Sequence, residues 1–453
     1  MRSALRYVAA ILAATASVAG QSVKGTAYGF AAGVTGGGSA EVSTPTTAEE
    51  LASLLADDTE RVIDLTTTFD FTGTTSTASG CSPWGTDSAC QQALDLASDW
   101  CGREQPDAPS VDSLTYDTAA ENPLPVGSNK SIISSNGKGV LKGKGLTLTE
   151  GATNIIIQGI EITDLNPNLV WGGDALELTG NDGVWIDHCK FSLTGRMFIV
   201  AHYAPSRVTV SNSEFDGTTT TSATCNGDHY WTMMFYGDGD QVTLDSNYIH
   251  DCSGRAPKLG DTDTICYVQA VNNYFSNMEG HAFEAYGTAT ALIEGNVFDS
   301  VTYPFDTSAQ VDTCYTVSDA SAASACSEWL GRECEVNSLS SSGDWPALGD
   351  SSVLDTLASY SENLVTPISA DQVASYVQAN AGPANLDSYS GSTDEGSSSG
   401  SATTAVTSSG PKATGNVGAS GNAQVAMNPT TLSTSTKTRA PPTFWTWHPG
   451  HDY

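Results

Sequence analysis

The chain has 453 residues, with 18 Lys and Arg against 51 Asp and Glu, a formal net charge of -33 at pH 7. A field of that sign repels polyanions, which excludes nucleic acid as a partner. Charged residues are only 15% and glycines number 44, a composition that favours turns and β structure over long surface helices.

The first twenty residues pair Arg2 and Arg6 with a short apolar run and then small residues. This pattern predicts a signal peptide over 1–20, cleaved near Ala19 or Gly20, and hence secretion. The run is too short to span a bilayer and no later stretch is longer, so no membrane partner is expected. Ten cysteines in a secreted chain point to disulfides. The seven histidines make no HxxxH or HExxH, so no metal is expected.

Thr46-Thr47-Ala48-Glu49-Glu50 offers two overlapping capping-box spacings and predicts a short helix. Arg61–Leu65 reads as a strand. Residues 73–106 read as a long cysteine-braced loop carrying Trp84 and Trp100. Asn129-Lys130-Ser131 is a glycosylation sequon.

From Lys130 to Phe305 the chain repeats one plan: polar turn, short apolar strand, tight turn, second strand ending in an aromatic or Ile. Ile162, Phe191, Phe215, Ile249, Phe275 and Phe298 mark that last position, at spacings of 29, 24, 34, 26 and 23 residues. A period near 25 residues is too short for a four-stranded propeller blade and suits a coil-stacking solenoid. The predicted fold is therefore all-β, a single-stranded parallel β-helix with short flanking helices and long loops. Asn247, Asn273 and Asn296 each stand two residues before a marker, where stacked amides form a hydrogen-bonded ladder.

Past Phe305 the repeat fades. Cys326 to Cys334 reads as a small loop, and Val353–Ser359 and Ala370–Ala379 as helices. Residues 388–453 are Ser/Thr/Gly-rich with an aromatic end, too polar to offset chain entropy, and are expected to be a disordered tail. The catalytic domain is thus placed at 21–387.

Cations are scarce, so their placement is informative. Arg196 closes Thr194-Gly195-Arg196, and Arg255 and Lys258 lie in SGRAPK. Asp174 sits in WGGDA beside Trp171, and Tyr230 and Trp231 end CNGDHYW. Two arginines in glycine-flanked motifs suit a site that handles a carboxyl group or an enolate. Asp187 and His188 in VWIDH read as structural hydrogen-bonding groups, and Trp185 as packing between coils.

These islands, with GVTGGGSAEV, SNKSI, SATCNGDHYW, VNNYF, GHAFE and LIEGNVF, resemble the fungal pectin lyases, of the polysaccharide lyase family that also holds the pectate lyases. The likeness runs from Gly25 to about Asn385. It implies a right-handed parallel β-helix and β-elimination: a base takes the C5 proton of a galacturonosyl unit and the bond to O4 breaks, leaving 4,5-unsaturated products. By the same resemblance Arg255 matches the proposed base, although arginine ordinarily keeps its proton to above pH ~12. Arg196 would stabilise the enolate and Asp174 would orient an arginine. Lys258 would reach a substrate carboxyl group, if it is not merely solvated. Trp84, Trp100, Trp171, Trp231 and Tyr230 would line the substrate groove. The resemblance also implies disulfides Cys81–Cys101, Cys90–Cys225 and Cys326–Cys334. It leaves Cys189, Cys252, Cys266 and Cys314 over, of which Cys252 and Cys266 could pair.

Pectate lyases hold calcium with several carboxylates near this segment. Here the next coil offers Arg196 instead, which would repel a divalent cation. The expectation is a monomeric pectin lyase acting on methyl-esterified homogalacturonan with no cofactor. The alternatives are a calcium-dependent pectate lyase, a hydrolase on the same fold, and a non-catalytic wall-binding protein.

Overall fold

The computed structural model describes residues 23–386 except 97–98, 262–263, 287 and 308–312. The expected signal peptide, the tail and its aromatic end lie outside the described residues.

The chain winds into a parallel β-helix. A ten-stranded parallel sheet runs from Val42–Ser43 through Ile155–Gln158, Asp182–Asp187 and Ile265–Val271 to Cys314–Thr316. A second sheet of fifteen strands covers two further faces. It climbs one face through Glu161–Thr163, Lys190–Ser192, Glu214–Asp216 and Tyr248–His250. It descends the other through Lys258–Leu259, Met233–Phe235, Ile199–His202, Leu176–Thr179 and Leu146–Leu148. The long strand Tyr274–Ala285 belongs to both faces and joins them.

The repeat markers are one physical column. Ile162 pairs with Phe191, Phe191 with Phe215, Phe215 with Ile249, Ile249 with Phe275 and Phe275 with Phe298. Their rings stack, with centroids 5.2 Å apart for Phe191–Phe215 and 4.8 Å for Phe275–Phe298. Like residues one coil apart must meet when strands stack in register, which is why the period shows in the sequence. The asparagines form the expected ladder and it runs one coil further. Asn247 Nδ2 donates to Asn273 Oδ1, Asn273 to Asn296 and Asn296 to Asn337, at 2.9, 2.9 and 3.0 Å.

The helix Ala48–Leu55 starts on Thr47, whose hydroxyl accepts from the Glu50 amide while Glu50 reaches back to Thr46. Its Leu51 and Leu55 enter the core and close one end of the solenoid. Toward the other end the helices Ala320–Leu330 and Ser351–Ala358 pack together, and Ala370–Asn380 packs against Tyr274 and Val297. No helix among the described residues is long and apolar enough to cross a membrane.

Several expectations need correction. The supposed loop at 73–106 contributes to a small sheet: Thr75–Cys81 pairs antiparallel with both Gln92–Leu94 and Ser110–Asp117, and Trp100–Glu104 is helical. Its strands are Ser- and Thr-rich and exposed on one face, so they carry too little apolar pattern to read as strands. The coil plan continues past Phe305 with Cys314–Thr316 and Ser338–Ser340. Cys326 lies on a helix, Ala320–Leu330, rather than in a loop. Cys252 and Cys266 do not pair; both are free and buried, as are Cys189 and Cys314. Trp185 packs against the N-terminal segment, with Tyr28 at 6.4 Å, and donates to Ser211 on the next coil. Asn129 braces a turn: it donates to the Asp58 carbonyl and accepts from Asn154, and Ser131 of the sequon is buried.

Candidate active site

The descending face builds the site because strand alternation sends every second residue outward. In one register row stand Thr147, Glu177, Val200, Met234, Lys258 and Glu284. The flanking positions Leu176, Ile199 and Met233 point into the core. The turns that enter these strands carry Asp174, Arg196 and Arg255.

Asp174 and Arg196 form a two-pronged pair. Arg196 Nε donates to Oδ1 at 2.9 Å, its second prong meets Oδ2, and the Met197 amide donates to Oδ1 at 2.8 Å. The guanidinium lies over Trp171, 4.3 Å from the ring centre. Burial opposes the Arg196 charge, but Asp174 overrides it and raises the guanidinium further above its ordinary value. Arg196 is thus a fixed cation.

Arg255 is held differently. Its backbone is left-handed (φ 47°) and the side chain is nearly covered, at 9% exposure. The guanidinium lies 4.9 Å from the Trp231 ring centre and 5.7 Å from that of Tyr230. Glu284 Oε2 is 3.9 Å from Nε, too far for a hydrogen bond, and Nε is buried without a partner.

The five aromatics named from the sequence come together as one arc. Trp171 meets Trp100 at 5.8 Å, Trp100 meets Trp84 at 6.4 Å, Trp84 meets Trp231 at 5.8 Å and Trp231 meets Tyr230 at 4.9 Å. Arg196 stands at one end and Arg255 at the other. The disulfide Cys90–Cys225 ties the Trp84 segment to the turn before Tyr230, and Cys81–Cys101 braces the Trp100 helix. Cys326–Cys334 lies apart, in the cluster beneath Val353 and Leu357. Buried Gln91 links the arc to the Arg196 turn, accepting from Trp231 Nε1 and donating to the Gly195 carbonyl.

Lys258 is not a solvated lysine. It is 5% exposed, with Nζ 4.8 Å from the Tyr286 ring centre. Burial, then the neighbouring Arg255 charge, pulls its ammonium below the usual lysine value. Asp187 ends a strand of the ten-stranded sheet and His188 follows it in the bend, the two bonded to each other at 2.7 Å and buried.

Sequence reasoning missed several groups here. His229 is buried and its Nε2 lies 3.0 Å from the Arg196 carbonyl and 3.1 Å from that of Trp231; burial holds its pKa down to about 4, so it stays neutral. Glu177 pairs with His202 at 3.0 Å; burial opposes its charge, but His202 carries it down to about 2. Glu121 is pushed up to about 7, first by burial and then by Asp174. The outward strand alternation could have flagged Glu177 and Glu284, but a lone Glu in a short strand looks like any solvent-facing position.

A divalent ion needs carboxylate oxygens free to bind it. Both oxygens of Asp174 are engaged by Arg196 and the Met197 amide. Among the described residues one group of potential metal ligands converges, Glu214, Asp216 and His250. It lies on the ascending face, and Lys190 Nζ already sits 2.7 Å from Glu214 and 3.0 Å from Asp216.

Comparison with known proteins agrees with this architecture. The family model for a right handed beta helix region matches residues 126–298. A Bacillus subtilis pectate lyase variant superposes with a TM-score of 0.51 at 16% identity, covering 82% of this chain and 100% of its own. At that identity the match speaks for the fold alone. Curated relatives are much nearer in sequence. A probable pectin lyase F-1 of Aspergillus terreus is 47% identical over 383 residues, 83% of this chain and 98% of that protein. Pectin lyase B of Emericella nidulans is 50% identical, over 74% and 88%. A probable pectin lyase A of Aspergillus oryzae is 50% identical, over 72% and 85%. With this identity spread over most of both partners, on a parallel β-helix, the chain belongs to the pectin lyase family of polysaccharide lyases.

Proposed function

We propose that this pectin lyase is a secreted monomer that cleaves methyl-esterified homogalacturonan by β-elimination without a metal ion. The observation that carries the reading is the Asp174–Arg196 pair. Where a divalent ion would need carboxylate oxygens, a guanidinium fills them.

The chemistry follows from the substrate. A methyl ester is neutral, so removing the C5 proton puts negative charge onto an uncharged carbonyl. A free carboxylate would have to accept a second charge and would first need neutralising. Arg196 spends Nε and one terminal nitrogen on Asp174, which leaves its other terminal nitrogen for the ester carbonyl. A donor fixed before reaction stabilises the enolate without reorganising. Arg255, over the Trp231 and Tyr230 rings, is the catalytic residue at C5. The C5 proton passes to the Arg255 guanidine, the C5–H pair becomes the C4=C5 bond, the C4–O4 pair leaves with O4, and O4 takes up a proton from Arg255 or from water. The aromatic arc suits the apolar faces of pyranose rings and their methyl esters. The net charge of -33 disfavours de-esterified polymer.

The test is a product assay on high-ester and low-ester pectin with a chelator present. Rising ultraviolet absorbance on high-ester pectin, unaffected by chelator, is the expected result. Loss of all activity with chelator would overturn metal independence, and new reducing ends without absorbance would indicate hydrolysis. A mature N-terminus near residue 20 in secreted protein checks the signal.

A further inference from the structure

Arg255 has one buried anion beside it, and that anion is itself tethered. Register places Glu284 next to Lys258 on the adjoining strand, with 4% exposure. Its Oε2 accepts from His281 Nε2 at 2.9 Å and faces Arg255 Nε at 3.9 Å. His281 Nε2 also lies 3.2 Å from the Arg255 backbone nitrogen. One ring nitrogen cannot donate to the first and accept from the second at once. The shorter contact, to a carboxylate, is the charge-assisted one, so Nε2 carries its hydrogen toward Glu284.

We propose that Glu284 and His281 are positioning residues that hold the Arg255 guanidinium in its reactive placement without bonding it directly. His281 and Glu284 come from GHAFE, a motif that plays no part in the reaction outlined above. The other groups against Arg255 are Trp231, Tyr230, which also hydrogen-bonds it, the Lys258 cation, and Met234 Sδ at 3.8 Å from Nη1. None of them is an anion. Without Glu284 a covered cation would face two rings, a thioether and the Lys258 cation, with no counter-charge beside it. With Glu284 on the Nε side, the terminal nitrogens are turned away from it. The carboxylate also stays charged. Burial opposes its ionisation, but His281 and then Arg255 bring its pKa down to about 2. Asp174 meets its arginine with both oxygens, whereas Glu284 meets Arg255 across a gap, so no carboxylate oxygen occupies the Arg255 donors.

The inference rests on Arg255 being the catalytic residue, so the experiment separates the two. Glu284→Gln keeps the shape and removes the charge. On esterified pectin, kcat should fall about 100-fold with KM within about 2-fold, since the loss is felt in the transition state. His281→Ala should cost about 10-fold, and His281→Gln, which keeps an N–H donor, should recover most of it. In an Arg255→Lys background, Glu284→Gln should cost less than about 3-fold more, because residues acting through one another are not additive. A full second 100-fold loss in that background would show that Glu284 acts independently and overturn the proposal. So would an unchanged kcat in Glu284→Gln with only a lower melting temperature. If Glu284→Gln does not fold, the His281 pair decides alone: equal loss in Ala and Gln overturns it. Full activity of Arg255→Lys would instead refute the role of Arg255.

Discussion

Two arginines stand at opposite ends of one aromatic arc, and the protein treats them in opposite ways. Arg196 is locked: two prongs on Asp174, a ring beneath it, and its carbonyl held by His229. Arg255 is cradled: rings on one side, a carboxylate 3.9 Å away, and a buried Nε with no hydrogen bond. A locked cation suits a charge that must not move while an enolate forms. A cradled one suits a group that must engage the reacting atoms. The difference teaches that residue type alone does not assign the role; the geometry of the counter-ion does.

The comparison can be broken by experiment. Arg255→Ala should lower kcat by about 10³-fold, the scale of removing a group that handles the transferred proton. Retained turnover, measured as product absorbance, would reverse the roles given to the two ends. Asp174→Asn, which frees Arg196 to swing, should cost about 10²-fold in kcat, the loss expected for a misplaced oxyanion donor. A rise in KM alone would mean that the pair only binds. Trp84→Ala should raise KM about 10-fold, in keeping with one lost ring contact, and touch kcat less. An effect confined to kcat would remove Trp84 from substrate binding.

A smaller effect is expected from pH. Burial raises Asp228 to about 6, and Asp240 and Glu121 to about 7, from ordinary values of 3.8, 3.8 and 4.5. Between those limits the folded chain binds more protons than the unfolded one, so these groups lose stability as pH rises. Glu177 and Glu284, lowered to about 2, act the other way; their contribution is complete above pH 4.5 and lost toward 2. His229, lowered from 6.5 to about 4, adds stability as pH rises across that range and offsets one of the three carboxyls. Thermal melting should therefore peak near pH ~5 and drop by about 5 °C toward pH ~7.5. A melting temperature that climbs through neutrality would contradict the burial of these acids. The smallest effect, under about 2-fold in rate, is expected when calcium is added or chelated, because Arg196 already occupies Asp174.

How much of this was legible in the sequence depends on what repeats. The column from Ile162 to Phe298 and the asparagine ladder could be read because stacking demands the same side chain at each turn. Asp174, Arg196, Arg255 and the aromatics could be read because they sit in ordered islands that resemble a known family. Glu284, His281, Glu177 and Gln91 were not singled out. Their importance comes from which strands lie side by side, and register between coils is invisible in a linear string. The Thr75–Cys81 strand was missed for another reason: its pairing is antiparallel and its pattern polar, so it follows neither the coil period nor an apolar alternation.

The buried asparagine column has one further consequence. Asn247, Asn273 and Asn296 each donate to the amide oxygen of the next asparagine toward the C-terminus, and the run ends at Asn337, whose Nδ2 donates to the Ile293 and Val317 carbonyls. Peptide units aligned head to tail add their polarity, and the side chains here do the same along the solenoid axis. A turn spliced into this stretch during evolution must bring its own amide in that orientation or leave two orphaned partners inside the protein. The column thus acts as a gauge on growth: it fixes where coils can be added or lost, and so how far the cleft can lengthen.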